Sequence, residues 1–395
     1  MDPIQNPFSP GAGTPPPELV GRDALLRQAE IALGRIRIGR PAKSMILVGL
    51  RGVGKTVLLY RIRSQAEAGG YRALLLEAPE DKPLVELLVP PLRGLLLSLD
   101  AMAELSQKVK RGLRVFKSFI SAARLKYGDL ELSIEPEPGA ADSGDLEADL
   151  GVLLVAVAEA AADRGTAIAL CIDEIQYLSP KELSALIMAL HQVAQRNLPL
   201  VVVAAGLPQI LSLAGRSKSY SERLFDFPRI GAFEEADARE ALSAPVIGQG
   251  VAFTDEALQE MVRVTAGYPY FLQQWGYEAW NVATNSPIGL ADVRRASVQA
   301  VQNLDESFFR VRFDRLTPRE KDYMRALASL GALPQRSGEI ADLLQIPISS
   351  AASLRNNLIR KGMIYSPAHG DTAFTVPLFD QFMLRAMPDW IPKPR

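Results

Sequence analysis

Cysteine is almost missing from this chain of 395 residues: Cys171 stands alone, which excludes a disulfide framework and a cysteine-rich zinc cluster. That thiol lies inside the apolar run Ala169-Leu170-Cys171-Ile172, where a free cysteine behaves as a small buried hydrophobe. Histidine is equally scarce, and His191 and His369 are too few for a histidine-based metal site. No apolar run reaches the ~18–20 residues of a membrane span. The start, Met1-Asp2-Pro3-Ile4, has no basic stretch followed by an apolar one, so no signal peptide is expected. Neither sign of charge dominates: 44 Lys and Arg face 45 Asp and Glu, a net charge of -1. That excludes a basic coat over the whole surface but not a local basic patch. These features together predict a cytoplasmic protein with no membrane partner. What is present, 48% hydrophobic and 23% charged residues, is the composition of a globular protein with a real core. At ~100–200 residues per domain, two or three domains are expected.

Residues 1–18 are rich in Pro and Gly and read as an extended leader. A helical pattern runs from Glu18 to Leu33, followed by the apolar run Met45-Ile46-Leu47-Val48, a glycine-rich turn and helical spacing over Thr56 to Ile62. Further apolar runs span 71–77, 167–172 and 200–205, each separated from the next by helical pattern. Short runs apolar on both faces predict a parallel sheet covered by helices. The segment 100–150 breaks the alternation. From Glu104 to Asp129 it carries Lys108, Lys110, Arg111, Arg114, Lys117, Arg124 and Lys126 and no acid between; from Asp129 to Asp149 it carries eight acids and no base. Either this is a solvated insertion whose two halves pair with each other, or its basic helical half contacts nucleic acid or a partner. Residues 234–312 are helical in pattern throughout. From about 313 to 395, three helices (Pro318 to Leu330, Ser337 to Leu344, Ser349 to Lys361) precede two extended runs, Met363-Ile364-Tyr365 and Ala373-Phe374-Thr375-Val376. That order predicts a winged helix-turn-helix.

Gly49-Leu50-Arg51-Gly52-Val53-Gly54-Lys55-Thr56 satisfies G-x-x-x-x-G-K-[ST] at every fixed position, between a predicted strand and a predicted helix. Glycines let the backbone curl so that successive N–H groups face phosphate oxygens, and the helix that follows presents its positive end to the same anion. The expected nucleotide set is Gly49, Arg51, Gly52, Val53, Gly54, Lys55, Thr56 and Val57, with Lys55 on the β- and γ-phosphates of ATP and Thr56 on Mg²⁺. Asp173, at the end of the third run, is expected in the Mg²⁺ shell, and Glu174 beside it as general base for the attacking water.

With these residues the chain resembles the AAA+ and STAND branch of the P-loop ATPases, close to origin-recognition-like and archaeal-type ATPases. Leu19-Val20-Gly21-Arg22-Asp23 resembles the family's box before the first helix, which implies that Gly21 and Arg22 border the nucleotide. Ser221-Glu222-Arg223-Leu224-Phe225 lies where the family places an arginine finger, implying that Arg223 acts on a neighbouring subunit. Gly267-Tyr268-Pro269 resembles the Gly-x-Pro of STAND lids, implying that Pro269 approaches the nucleotide. The resemblance covers about 19–385 and implies a three-layer α/β parallel sheet of P-loop type, a helical lid and a C-terminal winged helix. The corresponding division is a leader at 1–18, an ATPase core at 19–233 with the charged insertion at 100–150, a lid at 234–312 and a winged helix domain at 313–395. Two departures stand out. The fourth run ends Ala204-Ala205-Gly206, without the polar residue many relatives carry there, and Tyr270 and Phe271 follow Pro269 with no arginine nearby.

The third helix of the C-terminal unit carries Arg355, Asn356, Asn357, Arg360 and Lys361, residue types that read base edges or hold phosphates. Across 316–362, however, seven bases meet only four acids, a weak surplus for phosphate binding. The expectation is an ATPase, slow unless assembled, whose ATP/ADP state controls homo-oligomerisation and duplex DNA binding. The alternative is a slow regulatory switch, transcriptional or signalling, whose winged helix docks a protein partner. A P-loop small-molecule kinase does not fit a lid followed by a winged helix.

Overall fold

The computed structural model describes residues 1–11, 19–80, 82–101, 106–123, 135–217 and 221–392. They form two compact units.

The first comprises Asp23–Val48 and Lys55–Arg229. It is built on β1 (Ser44–Gly49), β2 (Tyr71–Glu77), β3 (Ala167–Asp173), β4 (Leu200–Gly206) and β5 (Phe225–Asp226), in the order β2-β3-β4-β1-β5. Every one of these pairings is parallel. The short β6 (Arg229–Ile230) adds to β1. The four apolar runs of the sequence are these first four strands, and β1, β3 and β4 are buried at every position.

Helices α1 (Asp23–Arg37) and α2 (Lys55–Ala68) pack on the sheet face that holds Met45, Leu47, Ala169, Cys171, Val201 and Val203. On the other face, Ile46, Val48, Ile168, Leu170, Ile172 and Val202 share one core with α3 (Leu84–Asp100), α4 (Gln107–Ala122), α5 (Leu146–Asp163) and α6 (Pro180–Gln195). The result is the three-layer α/β arrangement of a P-loop fold. Two short helices, α7 (Gln209–Ser217) and α8 (Ser221–Leu224), complete the unit.

Two expectations change. The first helix starts at Asp23 rather than Glu18, because Val20 and Gly21 form a turn and Gly21 sits at φ 67°, outside helical space. The insertion also contributes a regular helix to the core: α4 buries Val109, Leu113, Phe116 and Phe119. Its basic face pairs locally, with Arg111 reaching Glu137 and Glu159 at 3.2 Å each, Lys108 reaching Glu159 at 3.3 Å and Arg114 reaching Glu137 at 3.8 Å. Glu137 belongs to the acidic half, so in this part the two halves do pair. Arg124, Lys126 and Asp129 lie outside the described residues.

The second unit comprises Met1–Arg22, Gly49–Gly54 and Ile230–Arg395. Helices α9 (Glu235–Ile247), α10 (Asp255–Thr265), α11 (Pro269–Val282) and α12 (Leu290–Asn303) lead through a π turn (Leu304–Phe309) into α13 (Arg310–Asp314). The chain continues as α14 (Pro318–Ser329), β7 (Gln335–Arg336), α15 (Ser337–Leu344), α16 (Ile348–Arg360), β8 (Ile364–Tyr365), β9 (Asp371–Phe374) and α17 (Phe379–Ala386). The last three strands form an antiparallel sheet in the order β7-β9-β8.

Residues 1–11 of the leader are packed onto α11. Phe8 is 2% exposed and fills a notch at Gly276, where an added Cβ would stand 2.6 Å from its ring. Asn6 Nδ2 donates to Tyr277 O and Asn281 Oδ1 at 3.0 Å, and the Trp280 indole donates to Asp2 O at 2.8 Å. Residues 12–18 lie outside the described residues.

Candidate active site

The loop Gly49–Gly54 leaves the C-terminal end of β1 and enters α2 at Lys55. Gly52 at φ 84° and Gly54 at φ 91° occupy the left-handed region that lets the backbone fold back so tightly. Gly49 has no room for a side chain, since a Cβ would stand 2.3 Å from Ile230 O. Lys55, the first residue of α2, is 7% exposed.

One turn into the chemistry, Thr56 Oγ1 donates to Asp173 Oδ2 at 2.7 Å, and the Glu174 N–H donates to Asp173 Oδ1 at 2.8 Å. Asp173 ends β3 and is buried. Burial pushes its carboxyl above the ordinary range, opposed by the bonds from Thr56 and Glu174 N–H and by the charge of Lys55. Glu174 adopts φ 53°, ψ 35°, an uncommon conformation for a residue with a side chain, which turns it out of the strand. Its carboxylate accepts a hydrogen bond from Gln176 Nε2. Gln176, which the sequence reading missed, is 6% exposed, and its Oε1 accepts the Leu207 N–H at 2.9 Å.

Within the second unit, the loop is held by two groups of neighbours. The Tyr268 hydroxyl donates to Arg51 O, and the Tyr270 N–H donates to Gly52 O at 3.1 Å. Pro269 between them opens α11. Gly267 at φ 66° has Phe233 O 2.4 Å from where a Cβ would sit, so glycine is required there. Arg51 N–H and Nε donate to Thr375 O and Gly362 O, both at 3.4 Å. Gly21 lies against Asp237, and the Arg22 guanidinium donates to Gly231 O at 2.6 Å and covers the Phe233 ring at 4.6 Å. Burial lowers the pKa of Arg22, partly offset by Asp237.

Arg223 is not brought to Thr56 and Asp173. It lies on α8, immediately before β5, whose Phe225 pairs with Ser44 at the start of β1. By register Asp173 is level with Leu47 and Phe225 with Ser44, so Phe225 lies three residues, ~10 Å, back along the strands and three strands, ~14 Å, across the sheet, and Arg223 just before it sits at the edge strand β5. There it lines a cavity of about 240 Å³ with Arg40, Lys43, Leu190 and Leu224.

The five candidates, four on α16 and Lys361 just after it, divide. Arg355 is turned inward, with Nε donating to Thr372 Oγ1 at 2.9 Å and Nη2 to Asp371 O at 2.8 Å. Lys361 is bound to Glu320 Oε2 at 2.7 Å and Arg315 O at 3.0 Å. Asn357 accepts from Arg360. Asn356 and Arg360 are exposed, as are Ser349, Ser350 and Ser353.

A parallel sheet with a glycine loop at the end of one strand, a buried carboxylate at the end of another and a threonine hydroxyl between them defines a P-loop ATPase. Residues 18–203 match the AAA ATPase domain, and residues 306–383 match a domain of unknown function, DUF8462. Residues 18–203 are thus similar to the AAA ATPase domain, and the chain is an ATPase; P-loop ATPases of this kind generally use nucleotide with a divalent metal. Among solved structures, the Walker-type ATPase PABY2304 of Pyrococcus abyssi is 18% identical, with 94% of this chain and 97% of that chain covered and a TM-score of 0.55, a likeness of fold. The Aeropyrum pernix ORC1 protein in complex with DNA is 15% identical over 94% of both chains, with a TM-score of 0.48. Cdc6p from Pyrobaculum aerophilum is 15% identical over 98% of both, with a TM-score of 0.47. No curated protein matches by sequence. Among the described residues no helix is long and apolar enough to cross a membrane.

Proposed function

We propose that the loop Gly49–Thr56 binds ATP with Mg²⁺ and that nucleotide state controls self-assembly and DNA binding through the 313–395 segment, read as a winged helix-turn-helix. The observation that carries the nucleotide part is the 2.7 Å bond between Thr56 and Asp173, which joins the two halves of the motif at one point. A hydroxyl and a carboxylate are the hard oxygen donors that suit Mg²⁺. With Thr56 and Asp173 as its protein donors, the rest of such an ion's shell would be left to phosphate and water. Thr56 and Asp173 would hold it, and when bound it neutralises charge on the β- and γ-phosphates.

The chain's own residues do the rest. Lys55 and the loop N–H groups orient the phosphates, with Gly52, Gly54 and the first turn of α2 supplying donors. Glu174 aligns a water whose oxygen attacks the γ-phosphorus as the bond to the bridging oxygen breaks. The water's proton passes to the Glu174 carboxylate, and ADP and inorganic phosphate leave. Arg223 acts in trans, which its place at the far edge of the sheet supports. Because an arginine finger contributes about 10³–10⁵ to turnover, the isolated chain hydrolyses slowly.

On α16 the exposed Asn356 and Arg360, with Ser349, Ser350 and Ser353, form the DNA face. The inward bonds of Arg355 and Lys361 favour a second reading, in which the segment docks a protein and the ATPase is a switch. ATP turnover with and without duplex DNA, with Lys55→Ala as blank, separates them. Several-fold stimulation supports the DNA reading; a low rate indifferent to DNA supports the switch. Light scattering with ADP and ATP tests assembly, and a monomer in both would refute it.

A further inference from the structure

We infer that Gln176 is a positioning residue that fixes the Glu174 carboxylate and ties it to the end of β4, in the place where that strand brings no polar side chain of its own. The inference rests on the reading of Glu174 as general base. β4 ends Ala204-Ala205-Gly206, so nothing on the strand itself can reach a carboxylate or a water. Gln176 reaches across from the turn after β3 instead. Its carboxamide is wedged against β4: a Cβ on Gly206 would stand 2.9 Å from Gln176 Oε1 and 2.9 Å from Ile175 Cγ2.

The direction of the amide follows from its partners. The Leu207 N–H is a donor in a buried setting, so the atom it meets must be Oε1, and the –NH₂ is left facing Glu174. The acceptor-only carboxylate matches that donor. Neither end can be exchanged without losing a bond. The carboxylate of Glu174, carried on a backbone in the left-handed region, is thereby held in one orientation relative to two neighbouring strands. Every group in this chain of bonds is buried or half-buried within one unit, and none is a proposed ligand of nucleotide or metal.

The test compares Gln176→Glu, Gln176→Leu and Gly206→Ala with Glu174→Gln, measuring single-turnover ATP hydrolysis and, separately, ATP affinity. Gln176→Glu keeps an oxygen for the Leu207 N–H, which Gln176→Leu loses, and replaces the donor to Glu174 by a second carboxylate that repels it or shares its proton. A lost supporting partner costs about 10–100-fold, and the rate should fall by that factor while ATP affinity stays within about twofold, since binding does not use the pair. Because the effect acts through Glu174, Gln176→Glu should add no further loss in the Glu174→Gln background. If Gln176→Glu hydrolyses at the wild-type rate while Glu174→Gln is inactive, the inference is wrong and the reading of Glu174 stands. If Glu174→Gln itself turns over normally, that reading falls and the inference with it. A multiplicative loss in the double variant would equally overturn it, because Gln176 would then act independently of Glu174.

Discussion

Removing one oxygen, by Tyr268→Phe, tests whether the helix that Pro269 opens grips the phosphate loop. The Tyr268 hydroxyl donates to Arg51 O, and burial raises its pKa far above the ordinary phenol range, so it remains a donor at any working pH. Phenylalanine keeps the ring and its packing against Phe271, with centroids 5.1 Å apart, and leaves the Tyr270 N–H on Gly52 O. What is lost is one hydrogen bond, ~0.5–1.5 kcal/mol net, rising toward ~1–3 kcal/mol if the Arg51 carbonyl finds no other partner. If the loop's conformation is the one that binds phosphate, that loss appears in affinity. At ~1.4 kcal/mol per factor of ten, ATP should bind about 3–10-fold more weakly. Isothermal titration with ATP and Mg²⁺ measures it, with thermal unfolding as control. An unchanged affinity accompanied by a lower melting temperature would show that the hydroxyl supports only the fold. A tighter affinity would reverse the argument, because the bond would then hold the loop away from its binding shape.

Three further outcomes follow from side-chain placement and burial. Arg355→Ala should cost about 1–3 kcal/mol of stability, since it strips two bonds from β9 and leaves the fully buried Thr372 short of a partner; Arg360→Ala should leave the melting temperature alone and, on the DNA reading, weaken duplex binding and lower its salt slope by about one. Alkaline pH should destabilise the ATPase core through Cys171 and Tyr71, both pushed up to about 12 by burial, from ordinary values of 9.0 and 10.0. The unfolded chain loses each proton first, so this stability is complete below each group's ordinary value, 9.0 for Cys171 and 10.0 for Tyr71, and falls from there toward pH 12 by ~1.4 kcal/mol per unit for each group. Denaturation midpoints across pH 8–11 measure it, and a Cys171→Ala variant that falls as steeply as wild type would remove Cys171 from the account.

Much of the core was legible because its strands are short and buried on both faces. Tyr71–Glu77 and Leu200–Gly206 show as apolar runs with clear ends, and the loop between Gly49 and Thr56 matches the phosphate-loop pattern at every fixed position. The insertion was less legible, since its charge reversal drew the eye from Val109, Leu113 and Phe116, which recur at helical spacing. Orientation was the harder problem. Arg355 reads as a base contact in one dimension; only the register of β9 reveals that Thr372 and the Asp371 carbonyl claim it. Gln176 is one polar residue in Ile175-Gln176-Tyr177, and nothing in that triplet announces a partner 31 residues away at Leu207. The leader did offer a signal, for Phe8 is the one aromatic residue in its first 18, and an aromatic among prolines and glycines is a natural anchor.

Coupling between nucleotide and the C-terminal segment needs a group that both can move, and Arg51 qualifies. It stands at the third position of the loop pattern, and its N–H and Nε donate to Thr375 O and Gly362 O. Gly362 follows α16, and Thr375 follows β9, so the same backbone that carries Asn356 and Arg360 ends on the phosphate loop. Both bonds are 3.4 Å, at the long and weak end of the range. A ligand shifts an equilibrium only by its differential affinity for the two states. If the segment is to respond to nucleotide, ATP and ADP must therefore bind with different affinity according to whether Arg51 keeps these bonds to it.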